Sequence, residues 1–268
     1  MKTPSYEPRP TVGIASTAWL VARHTPLMSN RKAMLPSLLV AVAPMVIAAI
    51  IALHGSAPPG KDVFLGLVHG YFVQFAVGVL MLGIGLSGFP VDEAQGTVSY
   101  LFTKPISRLG ILLGRFLSAA AVGGLLTVLS CSASGLMVGA PLALIVKTWP
   151  ALVAASVYYG VLFTVLPLVT TKAAAVGLVY VLVWESVMSV IPGAIHTLTA
   201  TYYVRALLPR AALLDVTPVA FLSFLSSPPS TFNAIARLTV TCAVVAIAGA
   251  ALLNKREYSA SRSADEGA

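Results

Sequence analysis

Charge is scarce in this chain: Asp, Glu, Lys and Arg make up 10% of its 268 residues, while 57% are hydrophobic. An ordinary soluble domain carries about 25% charged residues, and here the shortfall is concentrated in long runs that hold none. Together with a mean hydropathy of +0.89, those runs exclude a soluble globular domain and fit helices of about 20 apolar residues crossing a bilayer. Cysteine is equally rare. Cys131 and Cys242 both fall inside apolar runs, which leaves neither a disulfide framework nor a Cys-based zinc site. Acidic residues number nine against seventeen Lys and Arg. In a soluble protein the +8 balance would raise the question of nucleic acid. Here the basic residues cluster at both termini and in one internal loop, where a membrane protein places them to hold those segments on the cytoplasmic side. The expected partner is therefore the lipid bilayer and not nucleic acid.

Catalytic signatures are missing as well. The single Gly-Lys pair, Gly60-Lys61, is followed by Asp62, so no phosphate-cradling P-loop is present. The four His residues, 24, 54, 69 and 196, are scattered, and neither a zinc-protease pair nor a nucleophile elbow is recognisable. Seven Met residues form no M-x-x-M or M-x-M cluster, which favours lipid or core packing over copper. The chain is expected to be no enzyme and to bind no cofactor or metal of its own. Residues 1–10 are polar and Pro-rich, and the first apolar run begins only near Leu35, too late for a secretory signal.

Six spans are expected, at about 35–54, 63–88, 109–138, 151–169, 173–191 and 232–253, in an all-α polytopic domain covering 35–253. Residues 1–34 form the cytoplasmic N-terminal segment, with an amphipathic stretch at 11–24, and 254–268 a basic cytoplasmic tail. Pro44 sits inside the first span, where neighbouring helices can satisfy the carbonyl it frees. Gly139-Ala140-Pro141 and Thr170-Thr171-Lys172 read as turns, and Lys147-Thr148-Trp149-Pro150 as an interfacial loop. Residues 193–231 are semi-polar and read as short helices lying in or dipping into the interface. With both termini inside, the inner segments hold twelve of the seventeen basic residues, which supports an N-in, C-in orientation.

Glu185, His69 and Arg237 fall inside spans. A carboxylate there costs about 2.5–3.5 kcal/mol on the lenient insertion scale. Glu185 lies roughly 18 Å from the inner end of its span, His69 roughly 9 Å and Arg237 roughly 7 Å from the outer ends of theirs, so all three could meet near one level. Such a cluster fits an outer gate or substrate path. It fits equally a structural pair of Glu185 with Arg237 or His69, or an Arg237 that snorkels. Gly83, Gly85 and Gly88, with Gly123 and Gly124, read as close helix packing.

The densest polar stretch follows the second span and runs Val91-Asp92-Glu93-Ala94-Gln95-Gly96-Thr97-Val98-Ser99-Tyr100-Leu101-Phe102-Thr103-Lys104-Pro105-Ile106-Ser107-Arg108. Asp92 and Glu93 suit a helix N-terminus, Val98, Leu101 and Phe102 share one face, and Pro105 ends the helix. A short amphipathic cytoplasmic helix thus joins the third span through a stiff corner.

On this segment the sequence resembles the ABC-2-type permeases, the transmembrane subunits of ATP-binding-cassette transporters, and among them permeases of the nitrous-oxide-reductase maturation type. The shared pattern is E-x-x-G-T, P-[IV]-S-R nine residues after the Gly, and G-[KR] nine residues after the Pro. Glu93, Gly96, Thr97, Pro105, Ile106, Ser107, Arg108, Gly114 and Arg115 carry it, Arg115 standing where Lys is more usual. The resemblance implies a coupling helix docking on a separate ATPase subunit that binds ATP and Mg, through Asp92, Glu93, Gln95, Gly96, Thr97, Lys104, Pro105, Ser107 and Arg108. It implies an elbow helix at 11–24, a second permease copy or a related permease as dimer partner, and export across the plasma membrane. Rival readings are a secondary transporter with Glu185 as coupling carboxylate, and a membrane scaffold without transport.

Overall fold

The computed structural model describes residues 14–28, 31–53, 60–86, 108–188, 197–209 and 229–265. Among these the chain is all-helical, with eight elements: α1 (Ile14–Met28), α2 (Arg31–Leu53), α3 (Gly60–Leu86), α4 (Arg108–Met137), α5 (Leu142–Val169), α6 (Ala173–Met188), α7 (Ala200–Ala206) and α8 (Thr231–Asp265). Five of them, α2, α3, α4, α5 and α8, are long and apolar enough to cross a membrane. The protein is membrane-embedded. The stretch expected as the fifth span, 173–191, is described as the shorter apolar helix α6. The coupling segment through Ser107 lies outside the described residues, and Arg108 opens α4.

The first turn reading holds in detail. Gly139 adopts φ +73°, a conformation that favours glycine. The Ala140 N–H donates to the Gly135 carbonyl at 2.9 Å and the Gly139 N–H to that of Leu136 at 3.2 Å, the paired bonds of a Schellman cap. Pro141 then stands at the N-cap of α5. At the opposite end Thr170 leaves the helix, and its Oγ1 accepts the Lys172 N–H at 3.2 Å.

The loop expected at Lys147–Pro150 is instead helix, because α5 begins at Leu142 and runs through it. The tight Gly139 corner brings α5 against α4 at once. Thr148 is buried and returns its hydroxyl to the Ile145 carbonyl at 2.7 Å, and the Trp149 indole N–H donates to Ser132 Oγ at 3.1 Å. Burial on α4 outweighs the local polar signal, and Lys147 stays on the exposed side.

Lipid tails are as apolar as the helices, so close packing and hydrogen bonding, more than water exclusion, hold such bundles together. α3 supplies the centre, with Phe64, Leu65, Val68, Phe72, Val77, Leu80 and Met81 buried. Small residues admit its neighbours: a methyl added at Gly85 would meet Phe163 Cβ at 2.9 Å, and one at Gly78 would meet Val181 at 2.9 Å. Gly123 of α4 receives Met81 in the same way. Gly124 has only ordinary contact with Ser156, and Gly88 lies outside the described residues. α2 runs unbroken through Pro36 and Pro44. Pro44 lacks the N–H that would bond the carbonyl four residues back, which is that of Val40. The Tyr71 hydroxyl of α3 donates to it at 2.8 Å, while Ser130 of α4 takes the adjacent Ala41 carbonyl.

α1 lies along the start of α4. A Cβ at Gly114 would stand 2.6 Å from the Ala18 carbonyl oxygen, while Trp19 on the outside of α1 is 64% exposed. α8 continues to Asp265, about 52 Å of helix at 1.5 Å per residue. That exceeds the roughly 30 Å hydrocarbon core, so the helix runs on into the basic tail expected from 254.

Candidate functional site: a buried polar core around Glu185

Two helices of the bundle leave the α-helical path, and both do so at polar residues. α3 is π-helical over Leu67–Ala76, around His69 and Gln74, and α6 over Tyr180–Glu185. Turns of this kind are rare and concentrate at functional positions. Their wider winding aligns residues five apart. The Tyr180 hydroxyl thereby donates to Glu185 Oε1 at 2.7 Å, and the Ser186 hydroxyl to the Val181 carbonyl at 3.0 Å.

Glu185 is fully buried. Besides Tyr180, its carboxylate accepts the Ala200 N–H at 3.1 Å, the Thr201 N–H at 3.0 Å and the Thr201 hydroxyl at 2.9 Å. The two N–H groups are the opening donors of α7, which have no partner within their own helix, and the positive end of the helix faces the carboxylate. Glu185 is thus the cap of α7 from another element. Buried carboxylates are costly unless hydrogen-bonded, and here four donors fill both oxygens. The Tyr180 proton is spent on Glu185, so in the 3.2 Å contact between Tyr158 and Tyr180 the donor is Tyr158.

Gln74 ties the two π segments together. Its amide donates to the Ser186 carbonyl at 2.9 Å and to that of Glu185 at 3.3 Å, and Ser186 Oγ donates back to the Gln74 carbonyl at 3.2 Å. The amide oxygen of Gln74 accepts from the Arg205 guanidinium of α7. His69 lies five residues earlier on the same π segment. Gln74 lies twelve residues from Leu86, and Glu185 twelve from Ala173, each roughly 18 Å of helix. Tyr158, eleven residues before Val169, falls at the same height. The network sits deep in the bundle at one level.

Of the three intramembrane residues read from the sequence, Glu185 is the centre of this core, while His69 stands on the π segment of α3 with its Nε2 in no hydrogen bond among the described residues. Arg237 does not join them. It is exposed on α8 and lines an open groove with Tyr202 and Tyr203 of α7, and the donors on Glu185 are Tyr180, Ala200 and Thr201. Gln74, Tyr180, Thr201 and Arg205 were not visible as site residues in the sequence. α7 itself, read only as an interfacial helix, buries Ala200, Thr201 and Val204 against its neighbours. Among the described residues, no three of His, Cys, Asp and Glu converge into a metal-binding group. The arrangement has no exposed nucleophile and no open lone pair on Glu185; what it does is lock α7 to α3 and α6. No family model matches this chain, and no curated protein matches it.

Proposed function

We propose that this chain is the membrane-spanning subunit of an ATP-binding-cassette exporter, with six spans and both termini on the cytoplasmic side of the plasma membrane. It works as a pair of permeases with two separate ATPase subunits. The observation that carries this reading is the seat of α1 on α4. Gly114, in the Gly114-Arg115 pair that closes the resembling motif, is where α1 crosses the start of α4 at contact distance. A push delivered by the ATPase to residues 92–108 would enter α4 at the point where the elbow helix lies, and α4 would carry it into the bundle. α6 supplies the remaining crossing between α5 and α8.

The Glu185 environment counts against the secondary-transporter reading, because a coupling carboxylate needs room to exchange its partners and Glu185 has four hydrogen bonds. The deciding experiment is co-expression with a candidate ATPase subunit, sought as a neighbouring coding sequence that carries a P-loop, followed by crosslinking from Ser99→Cys. Capture of the ATPase, and ATP turnover lost in Gly96→Val or Glu93→Lys while the permease stays in the membrane, supports the reading. Labelling of residues 92–108 from outside the cell, or ATP turnover by the purified chain alone, overturns it.

A further inference from the structure

One groove lies outside the buried core. It has a volume of about 580 Å³ and runs between α7 and the first turns of α8. One wall is the edge-to-face pair Tyr202–Tyr203, with ring centroids 5.2 Å apart. The other is a single helix face: Asn233, Ala236, Arg237 and Val240 are spaced i, i+3, i+4, i+7 and so stand in one row. Among the described residues no Asp or Glu lines the groove. Among the described residues the Arg237 guanidinium has no hydrogen bond or ion pair, and neither the Asn233 amide side chain nor the Tyr203 hydroxyl has a hydrogen-bond partner.

The same row continues down α8 as Val240, Val244 and Ile247, which are 61%, 59% and 69% exposed. From Arg237 to Ile247 it spans roughly 15 Å, half the thickness of the hydrocarbon core. A cation with neutral donors beside it therefore stands at the head of an apolar track one leaflet long. Aromatic rings at the head are those that prefer the headgroup level, and a guanidinium fork fits the oxygens of a phosphate diester.

We infer that this groove binds one anionic phospholipid, its phosphate on Arg237 and Asn233 and an acyl chain along Val240, Val244 and Ile247. The site is independent of what the chain transports and would exist equally in a channel or a scaffold. A soluble phosphate shares the headgroup chemistry but has no use for the track, and the experiment separates the two.

The purified protein is placed in nanodiscs of equal parts phosphatidylglycerol and phosphatidylcholine, and the lipid that stays bound on release is identified by native mass spectrometry. Wild type is expected to retain phosphatidylglycerol about tenfold over phosphatidylcholine, whose phosphate charge is already offset by its own choline ammonium, and Arg237→Gln to retain the two equally. A photoactivatable phosphatidylglycerol should label α8 within 240–247 in the wild-type protein, a result that needs no variant to fold. Equal retention by wild type, an undiminished preference in a folded Arg237→Gln, or label elsewhere in the chain would overturn the inference. So would release of the lipid by inorganic phosphate alone, the mark of a soluble-anion site.

Discussion

Glu185 and Thr201 are joined twice, the carboxylate Oε2 accepting both the Thr201 N–H at 3.0 Å and its hydroxyl at 2.9 Å. A side chain on one element thus ends the helix of another, and the cost of burying a carboxylate is offset by donors that the α7 N-terminus must place somewhere. Glu185→Gln turns an amide NH2 toward part of that donor set. The expected loss is about 2–4 kcal/mol, in the range of a broken buried polar network. Thr201→Val should cost about 1–2 kcal/mol, and the two changes should be strongly non-additive because they share a partner. Arg237→Gln, by contrast, should add to Glu185→Gln within about 0.5 kcal/mol, as residues without a shared partner do. Thermal unfolding of the singles and doubles in detergent measures both cycles. Recovery of stability in the Glu185→Gln, Arg237→Gln double would mean that the two charges are paired after all.

Gln74 presents its amide to two sides at once, donating to the carbonyls of Glu185 and Ser186 and accepting from Arg205. Gln74→Leu, similar in size, leaves all three groups without that partner inside the bundle. It is expected to lower stability by about 2–4 kcal/mol. Gln74→Glu keeps an acceptor for Arg205 but loses the donor, and should fall between wild type and Gln74→Leu. If Gln74→Leu unfolds at the wild-type temperature, the link between the two π segments contributes nothing.

Much of the bundle was legible because a bilayer turns missing charge into a length signal. α2, α3, α4 and α8 begin within a few residues of their expected starts, and both turns fall where Gly, Pro, Thr and Lys collect. α5 was underestimated. Lys147, Trp149 and Pro150 look like a loop in isolation, but α5 runs through them, with Thr148 against Cys131 and Trp149 against Ser132 of α4. The Glu185 site was half legible: a lone carboxylate in a span announces that something must satisfy it. Its partners did not show, because backbone N–H groups fifteen and sixteen residues further on carry no side-chain signature, and α7 has no apolar run to mark it.

Glycines in α3 divide into two kinds, and substitution should separate them. At Gly85 an added methyl would stand 2.9 Å from Phe163 Cβ and 3.1 Å from its backbone carbonyl carbon, atoms that cannot swing aside, whereas at Gly66 nothing lies within 4 Å. Gly85→Ala is expected to cost about 1–3 kcal/mol through overpacking. Gly66→Ala should be neutral or stabilising by up to about 1 kcal/mol, since only the glycine's backbone entropy changes. Unfolding temperatures of the two variants, measured side by side, test the α3–α5 contact directly; equal values would show that these helices do not meet at Gly85.

Tyr71 and Pro44 permit the sharpest comparison. Pro44 withholds the N–H that the Val40 carbonyl would otherwise accept, and the Tyr71 hydroxyl supplies a replacement at 2.8 Å. Tyr71→Phe alone should leave that carbonyl unsatisfied in an environment without water, at about 1–2 kcal/mol. Pro44→Ala restores the helix's own donor, so in that background Tyr71→Phe should cost less than half as much. The readout is again thermal unfolding, and the cycle isolates the hydrogen bond from the loss of the hydroxyl as such. An equal cost in both backgrounds would assign the role of Tyr71 to ring packing and leave the carbonyl freed by Pro44 to some other donor.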